Sequence, residues 1–161
     1  MRKFYLVVLI LLSVTCYANS SNTVNNSNRE KLTTTNVENY NMEKLIKAII
    51  HVESSGNIAE VSSDGECVGI LQIKKIVVDD CNEYLKMKGK NKRFTYNDRL
   101  NKEKSIEMFY LIQERYKNFK RFKSNSDIEH MIRLWNGGCN YSIKKTDLYF
   151  KKVINAYNSI E

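Results

Sequence analysis

Proline is absent from the 161 residues, and nothing in the pattern explains why. With that helix breaker missing, element ends have to be read from caps and from the six glycines. Sustained alternation of apolar and polar residues is missing too, which argues against a sheet protein. The two histidines, His51 and His130, lie far from the cysteines, and no C-x-x-C, H-E-x-x-H, P-loop or G-x-G-x-x-G occurs. Neither a metal nor a nucleotide cofactor is therefore expected. No internal repeat is visible, and no apolar run approaches the roughly twenty residues that a membrane-spanning helix needs. The length suits one domain with a real core and is short for two.

What is present begins with MRKFYLVVLILLSVTCYANSS. A basic start at Arg2 and Lys3 precedes an apolar run from Phe4 to Val14 and small residues around Ala18, which is the pattern of a secretory signal peptide over 1–18. The protein is expected to be periplasmic or extracellular. A lipoprotein acylated at Cys16 fits less well, because Thr15 is bulkier than the residue such sites usually carry. Cleavage after Ala18 removes Arg2 and Lys3 and takes the formal charge from +8 to +6. A basic surface suits anionic lipid or an acidic wall polymer, and export argues against nucleic acid as the partner. A Lys- and Asn-rich solvated exterior accounts for the charge equally well. Cys67, Cys81 and Cys139 remain in the mature chain and allow one disulfide or none. Residues 19–40 are rich in Asn, Ser and Thr with few apolar side chains, and read as a flexible leader.

From Asn41 to the end, over 41–161, the periodicity is helical, and the fold class is expected to be all-α or mostly α. Asn41 caps a first helix with Met42, Leu45, Ile46, Ile49, Ile50 and then Glu53 on one face. A second helix after Ile73 uses Ile76, Val77, Cys81, Tyr84 and Leu85 and ends before Gly89; KGKNKRFTYNDRLN is a loop or short turn. From Lys102 to about Phe119 a third helix turns Ile106, Phe109, Ile112, Tyr116 and Phe119 inward. Ser126 and Glu129 form a capping box for a fourth, with Ile128, Met131, Ile132 and Trp135 as its stripe, stopped by Gly137-Gly138. Thr146 is expected to cap the last helix, lined by Tyr149, Val153 and Tyr157.

Glu53 follows Ile46 by seven residues and Ile49 by four, so its carboxylate emerges on an apolar face near the helix C-terminus. Desolvation and the negative end of the helix dipole both raise the pKa of a carboxyl placed there. Such a group can donate a proton near neutral pH, as departure of a sugar oxygen requires. An ion pair with a nearby Lys or Arg, or a plain helix end, would explain the same residue without any chemistry.

Four elements in order weigh against that plain explanation: Glu53-Ser54, then Gly69-Ile70-Leu71-Gln72, then Trp135-Asn136-Gly137-Gly138, then Tyr149 early in the last helix. In this order they resemble the lytic transglycosylase domain of the soluble type, related to goose-type lysozymes, over residues 41 to about 157. The resemblance implies a lysozyme-like fold and peptidoglycan glycan strands as substrate. It implies Glu53 as general acid toward the glycosidic oxygen between N-acetylmuramic acid and N-acetylglucosamine. The same carboxylate would then take the proton of the muramyl 6-hydroxyl as a 1,6-anhydro ring closes. It further implies that Ser54 orients Glu53 or meets an acetamido group, that Gln72 and Asn136 offer amides to the N-acetyl arms, that Trp135 walls the cleft, and that Tyr149 hydrogen-bonds Glu53. Wall-remodelling or secretion machinery is a conceivable partner.

The sequence departs from the commoner family pattern at Glu66 and Cys67, where small residues are usual, and at Trp135, which replaces a tyrosine and loses its hydroxyl. Tyr141 or Tyr149 would have to supply that hydroxyl if it is needed, and Cys139 stands where it could touch the cleft. Glu60, Asp64 and Glu66 leave room for a muramidase in which one of them holds a water. A non-catalytic wall-binding or secretion-assembly protein is the remaining alternative, and it gives Glu53 no task.

Overall fold

The side chain of Asn41 accepts a hydrogen bond from the Lys44 N–H at 3.0 Å and so starts α1, Met42–Ser54. The computed structural model describes residues 41–118 and 127–161. The expected signal peptide, the leader, and the roles given to Phe119 and Ser126 lie outside the described residues. α1 buries Leu45, Ile46, Ala48 and Ile49 on one face. It stops where Ser55 turns left-handed, at φ 53°, and its N–H closes on the His51 carbonyl at 3.1 Å. Glu53 thus sits in the last turn.

Two expected details are corrected. In α2, Lys75–Met87, the buried face is Val78, Cys81 and Leu85, while Ile76 is 71 % exposed. Spacings of three and four put 78, 81 and 85 on one face, whereas Ile76, five residues before Cys81, falls to the side. α5, Ile143–Ser159, starts after Ser142, so Thr146 is inside the first turn and caps nothing. Its buried hydroxyl donates to the Ser142 carbonyl at 2.8 Å and accepts from Arg133 Nη1 at 2.9 Å. The hydroxyl is drawn inward by a buried guanidinium that needs acceptors.

Between α2 and α3, Lys102–Tyr116, the expected loop holds a 3₁₀ turn, Tyr96–Leu100, and buries Phe94 and Arg99. α3 is capped by the Asn101 side chain and buries Met108, Phe109 and Ile112, with Ile106 and Tyr116 half-buried. α4, Asp127–Gly137, buries Ile128, Ile132 and Leu134 and leaves Met131 and Trp135 half-buried. Its end is the expected glycine pair. Gly138 has φ 70° and returns its N–H to the Leu134 carbonyl at 2.9 Å. A Cβ on Gly137 would lie 2.6 Å from the Tyr141 Cβ and 2.8 Å from the Thr146 methyl, so the chain there passes too close to α5 for any side chain.

α5 packs on α1 and α4, and α2 packs on α3. The described residues contain five α-helices, the 3₁₀ turn and no strand; Val61–Val68 and Val68–Ile73 form isolated bridges. Cys67, Cys81 and Cys139 are free thiols. Among the described residues no helix is long and apolar enough to cross a membrane.

Candidate active site

The end of α1, the segment 67–74, one face of α2 and the end of α4 enclose a cleft of about 790 Å³. Glu53, Gln72, Trp135 and Asn136 line it, four residues that the sequence spreads over more than eighty positions. Glu53 reaches it because the helix ends one residue later, so its side chain leaves the core face at the cleft edge. From behind, Tyr149 of α5 donates its hydroxyl to Glu53 Oε1 at 2.6 Å. The two residues are ninety-six positions apart, and the packing of α5 on α1 brings them together.

Burial pushes the Glu53 carboxyl above the usual carboxylate range, and the Tyr149 hydroxyl offsets part of that rise. The indole of Trp135 acts weakly in the same direction as Tyr149, without closing a hydrogen bond of standard geometry. Burial also drives the Tyr149 hydroxyl well above its ordinary value, helped by the Glu53 charge, so it stays protonated and stays a donor. Trp135 is itself held by Phe109, with ring centroids 5.0 Å apart and the planes tilted by 59°. The result is a carboxyl that holds its proton more tightly than an ordinary glutamate, beside an aromatic wall and two amide side chains.

The segment leading to Gln72 is kept in shape by side chains bonded to backbone. Gln72 adopts φ 47°, and its Nε2 donates to the Gly69 carbonyl at 2.9 Å and the Glu60 carbonyl at 3.2 Å. Gly69 has φ 81°, and a Cβ there would lie 1.9 Å from the Arg99 carbonyl oxygen. Only glycine fits. Arg99 Nη1 donates to the Glu66 carbonyl at 3.1 Å and the Ile73 carbonyl at 3.0 Å, and Nε to the Tyr96 carbonyl at 2.8 Å.

A family model for the transglycosylase SLT domain matches residues 30–161. The chain belongs to the transglycosylase SLT domain family. A search of curated proteins and a search of solved structures each found no match. Enzymes of this family are peptidoglycan lytic transglycosylases, which are lyases, and the domain is a lysozyme-like all-α fold. The substrate of this chain is accordingly peptidoglycan.

Within this SLT domain the structure gives Ser54 a different place from the lining. Its buried hydroxyl donates to the Ile70 carbonyl at 2.9 Å and accepts from the Gly56 N–H at 3.2 Å. It ties the end of α1 to the Gly69–Gln72 segment. Tyr141 is buried beneath the α4 turn, with its hydroxyl 3.2 Å from His130 Nδ1, so of the two tyrosines considered for the missing hydroxyl it is Tyr149 that reaches Glu53. Cys139 and Cys67 both line the cleft.

Glu60, Asp64 and Glu66 do not line it. Glu60 takes the Asn57 amide at 2.7 Å, Asp64 takes the Ser62 hydroxyl, and Glu66 pairs with Lys74 at 2.8 Å. The further carboxylates of the cleft are instead Asp79, Asp80 and Glu83 of α2. Arg115 holds two of them, at 3.3 Å to Asp80 and 2.7 Å to Glu83, and the Tyr96 hydroxyl holds Asp79 at 3.0 Å. The signal for this wall was in the spacing of Ile76, Asp79, Asp80 and Glu83 at i, i+3, i+4 and i+7, which marks one helix face distinct from the buried face of Val78, Cys81 and Leu85.

Proposed function

We propose that the chain is an exported lytic transglycosylase that cleaves the β-1,4 bond between N-acetylmuramic acid and N-acetylglucosamine and leaves 1,6-anhydro-muramic acid, with Glu53 as its acid and base. Glu53 protonates the bridging oxygen as the bond to the muramyl anomeric carbon breaks. The carboxylate so formed removes the proton of the 6-hydroxyl, whose oxygen attacks that carbon and closes the ring. The proton lost in the first step is regained in the second, and no water is consumed. The observation that carries the proposal is the half-buried carboxyl of Glu53 in the cleft wall, with the Tyr149 hydroxyl at 2.6 Å.

A substrate hydroxyl already bound beside the anomeric carbon is favoured over free water by the entropy of holding it there. Gln72, Trp135 and Asn136 bind and orient the N-acetylated sugars, Ser54 and Tyr149 hold the acid and the segment beside it, and no metal or other cofactor takes part. Export rests on the N-terminal pattern of a basic start, an apolar run and small residues around Ala18. It would place the enzyme in the periplasm or outside the cell, within reach of wall-remodelling or secretion machinery.

Mass spectrometry of muropeptides released by the pure protein tests the reaction. Products ending in anhydro-muramic acid, lighter by one water than hydrolytic ones and inert to borohydride, are expected. Mainly reducing ends would mean hydrolysis and would make an α2 carboxylate the holder of the water. Binding without any product would leave a wall-binding protein.

A further inference from the structure

Among the described residues nine large apolar side chains are exposed, and Ile76 is the one of them that lines the cleft. The fold makes no use of it, because the core face of α2 is Val78, Cys81 and Leu85. Removing an isoleucine side chain from water is favourable, and at 71 % exposure most of that gain is unrealised in the free protein. The residues sharing its helix face are carboxylates whose oxygens are fixed by Arg115 and by the Tyr96 hydroxyl. An apolar group beside fixed acceptors matches an N-acetylated sugar, which presents hydroxyl donors together with C–H faces and acetamido methyls.

We propose that Ile76 is a glycan-contact residue of the cleft, packing against the apolar face or acetamido methyl of a sugar in the bound strand. This rests on the assignment of the cleft as the glycan site. Ile76 is not among the groups that act on Glu53, which are Tyr149 and Trp135, so its contact is taken to be the same before and during bond breakage, contributing uniform binding and acting on KM rather than kcat.

Met87 provides a matched comparison, since it is on the same helix, is also 71 % exposed, and does not line the cleft. The chain has one tryptophan, Trp135, and it lies in the cleft, so its fluorescence reports occupancy. In a Glu53→Gln background, peptide-free glycan strands of alternating N-acetylglucosamine and N-acetylmuramic acid are titrated while that fluorescence is read. Adding Ile76→Ser should weaken binding about tenfold, as the loss of one apolar contact does. Adding Met87→Ser should leave it unchanged. With Glu53 intact, Ile76→Ser should raise KM by a similar factor and keep kcat within about twofold, with an unchanged melting temperature, and Ile76→Leu should restore most of the affinity.

Equal affinities for Ile76→Ser and its parent, equal losses for Ile76→Ser and Met87→Ser, a fall confined to kcat, or a lowered melting temperature would each overturn the proposal. The titration also separates its failure from that of the proposed reaction. A wild-type protein that releases no anhydro products while Ile76→Ser still weakens strand binding refutes the reaction and retains the contact. Anhydro products with no effect of Ile76 do the reverse.

Discussion

Two walls of the cleft are built by different means. The wall that carries Glu53 is helical: α1 ends one residue after it, and α5 packs behind it and delivers Tyr149. The wall that carries Gln72 is an irregular segment with two isolated bridges, shaped by Arg99, Ser54 and the Gln72 side chain bonding to backbone carbonyls. The first is rigid because an apolar stripe holds it. The second holds its shape through a small number of polar contacts, each reaching across many residues, so single substitutions there should propagate through the whole segment.

The largest effect should come from the helical wall. Glu53→Gln is expected to lower turnover of purified peptidoglycan by about 10²–10⁴-fold with unchanged helical circular dichroism, since the amide keeps the shape and cannot cycle a proton. The same variant should be more stable than wild type at neutral pH. Glu53 binds its proton more tightly folded than unfolded, so wild-type stability falls as pH rises from the unfolded carboxyl's range through the raised folded value. Above that value the whole cost is present, and below both values it vanishes. Melting curves of the two proteins should therefore converge toward low pH, and a gap that widened there would sink the burial argument.

The irregular wall should break through its backbone. Gly69→Ala meets a carbonyl oxygen at 1.9 Å at a left-handed φ, and a loss of about 3 kcal/mol or more is expected on denaturant unfolding, with activity falling even where the protein remains folded. Arg99→Met should cost about 2 kcal/mol, because it takes a buried donor away from three carbonyls, two of them in this wall, and leaves the Ile73 carbonyl with the Val68 N–H alone. If either variant kept full stability and activity, the segment would not be the polar-tied element described.

A smaller and sharper effect is expected from Tyr149→Phe. It removes a hydrogen bond that favours the charged form of Glu53, so the limb of the pH–rate profile belonging to that acid should move to higher pH, with a rate loss well short of that of Glu53→Gln. An unmoved limb would show that Tyr149 packs without tuning the acid. The smallest effect concerns the thiols. Cys67 and Cys139 at the cleft should react readily with an aromatic disulfide in the native protein. Cys81, with its thiol pushed up to about 12 by burial, should react only after unfolding.

Local pattern was enough to place the helices that bury a clean stripe, the cap at Asn41, the stop at Gly137-Gly138, and Glu53 leaving an apolar face at a helix end. These are local properties, fixed by spacing within a few turns of one element. It misled at Ile76, where a short apolar run fits two faces and only packing selects Val78, and at Thr146, where a residue that looks like a cap is claimed by Arg133 from another helix. Packing was needed to show that Ser54 and Arg99 hold a segment, and to choose between the carboxylate face of α2, which its spacing marks, and Glu60, Asp64 or Glu66 as the acids facing the cleft. The reason is that a hydrogen bond to a backbone carbonyl leaves no periodic mark on the sequence. Arg99 can reach the Glu66 carbonyl, thirty-three residues away, only after the helices on either side have packed.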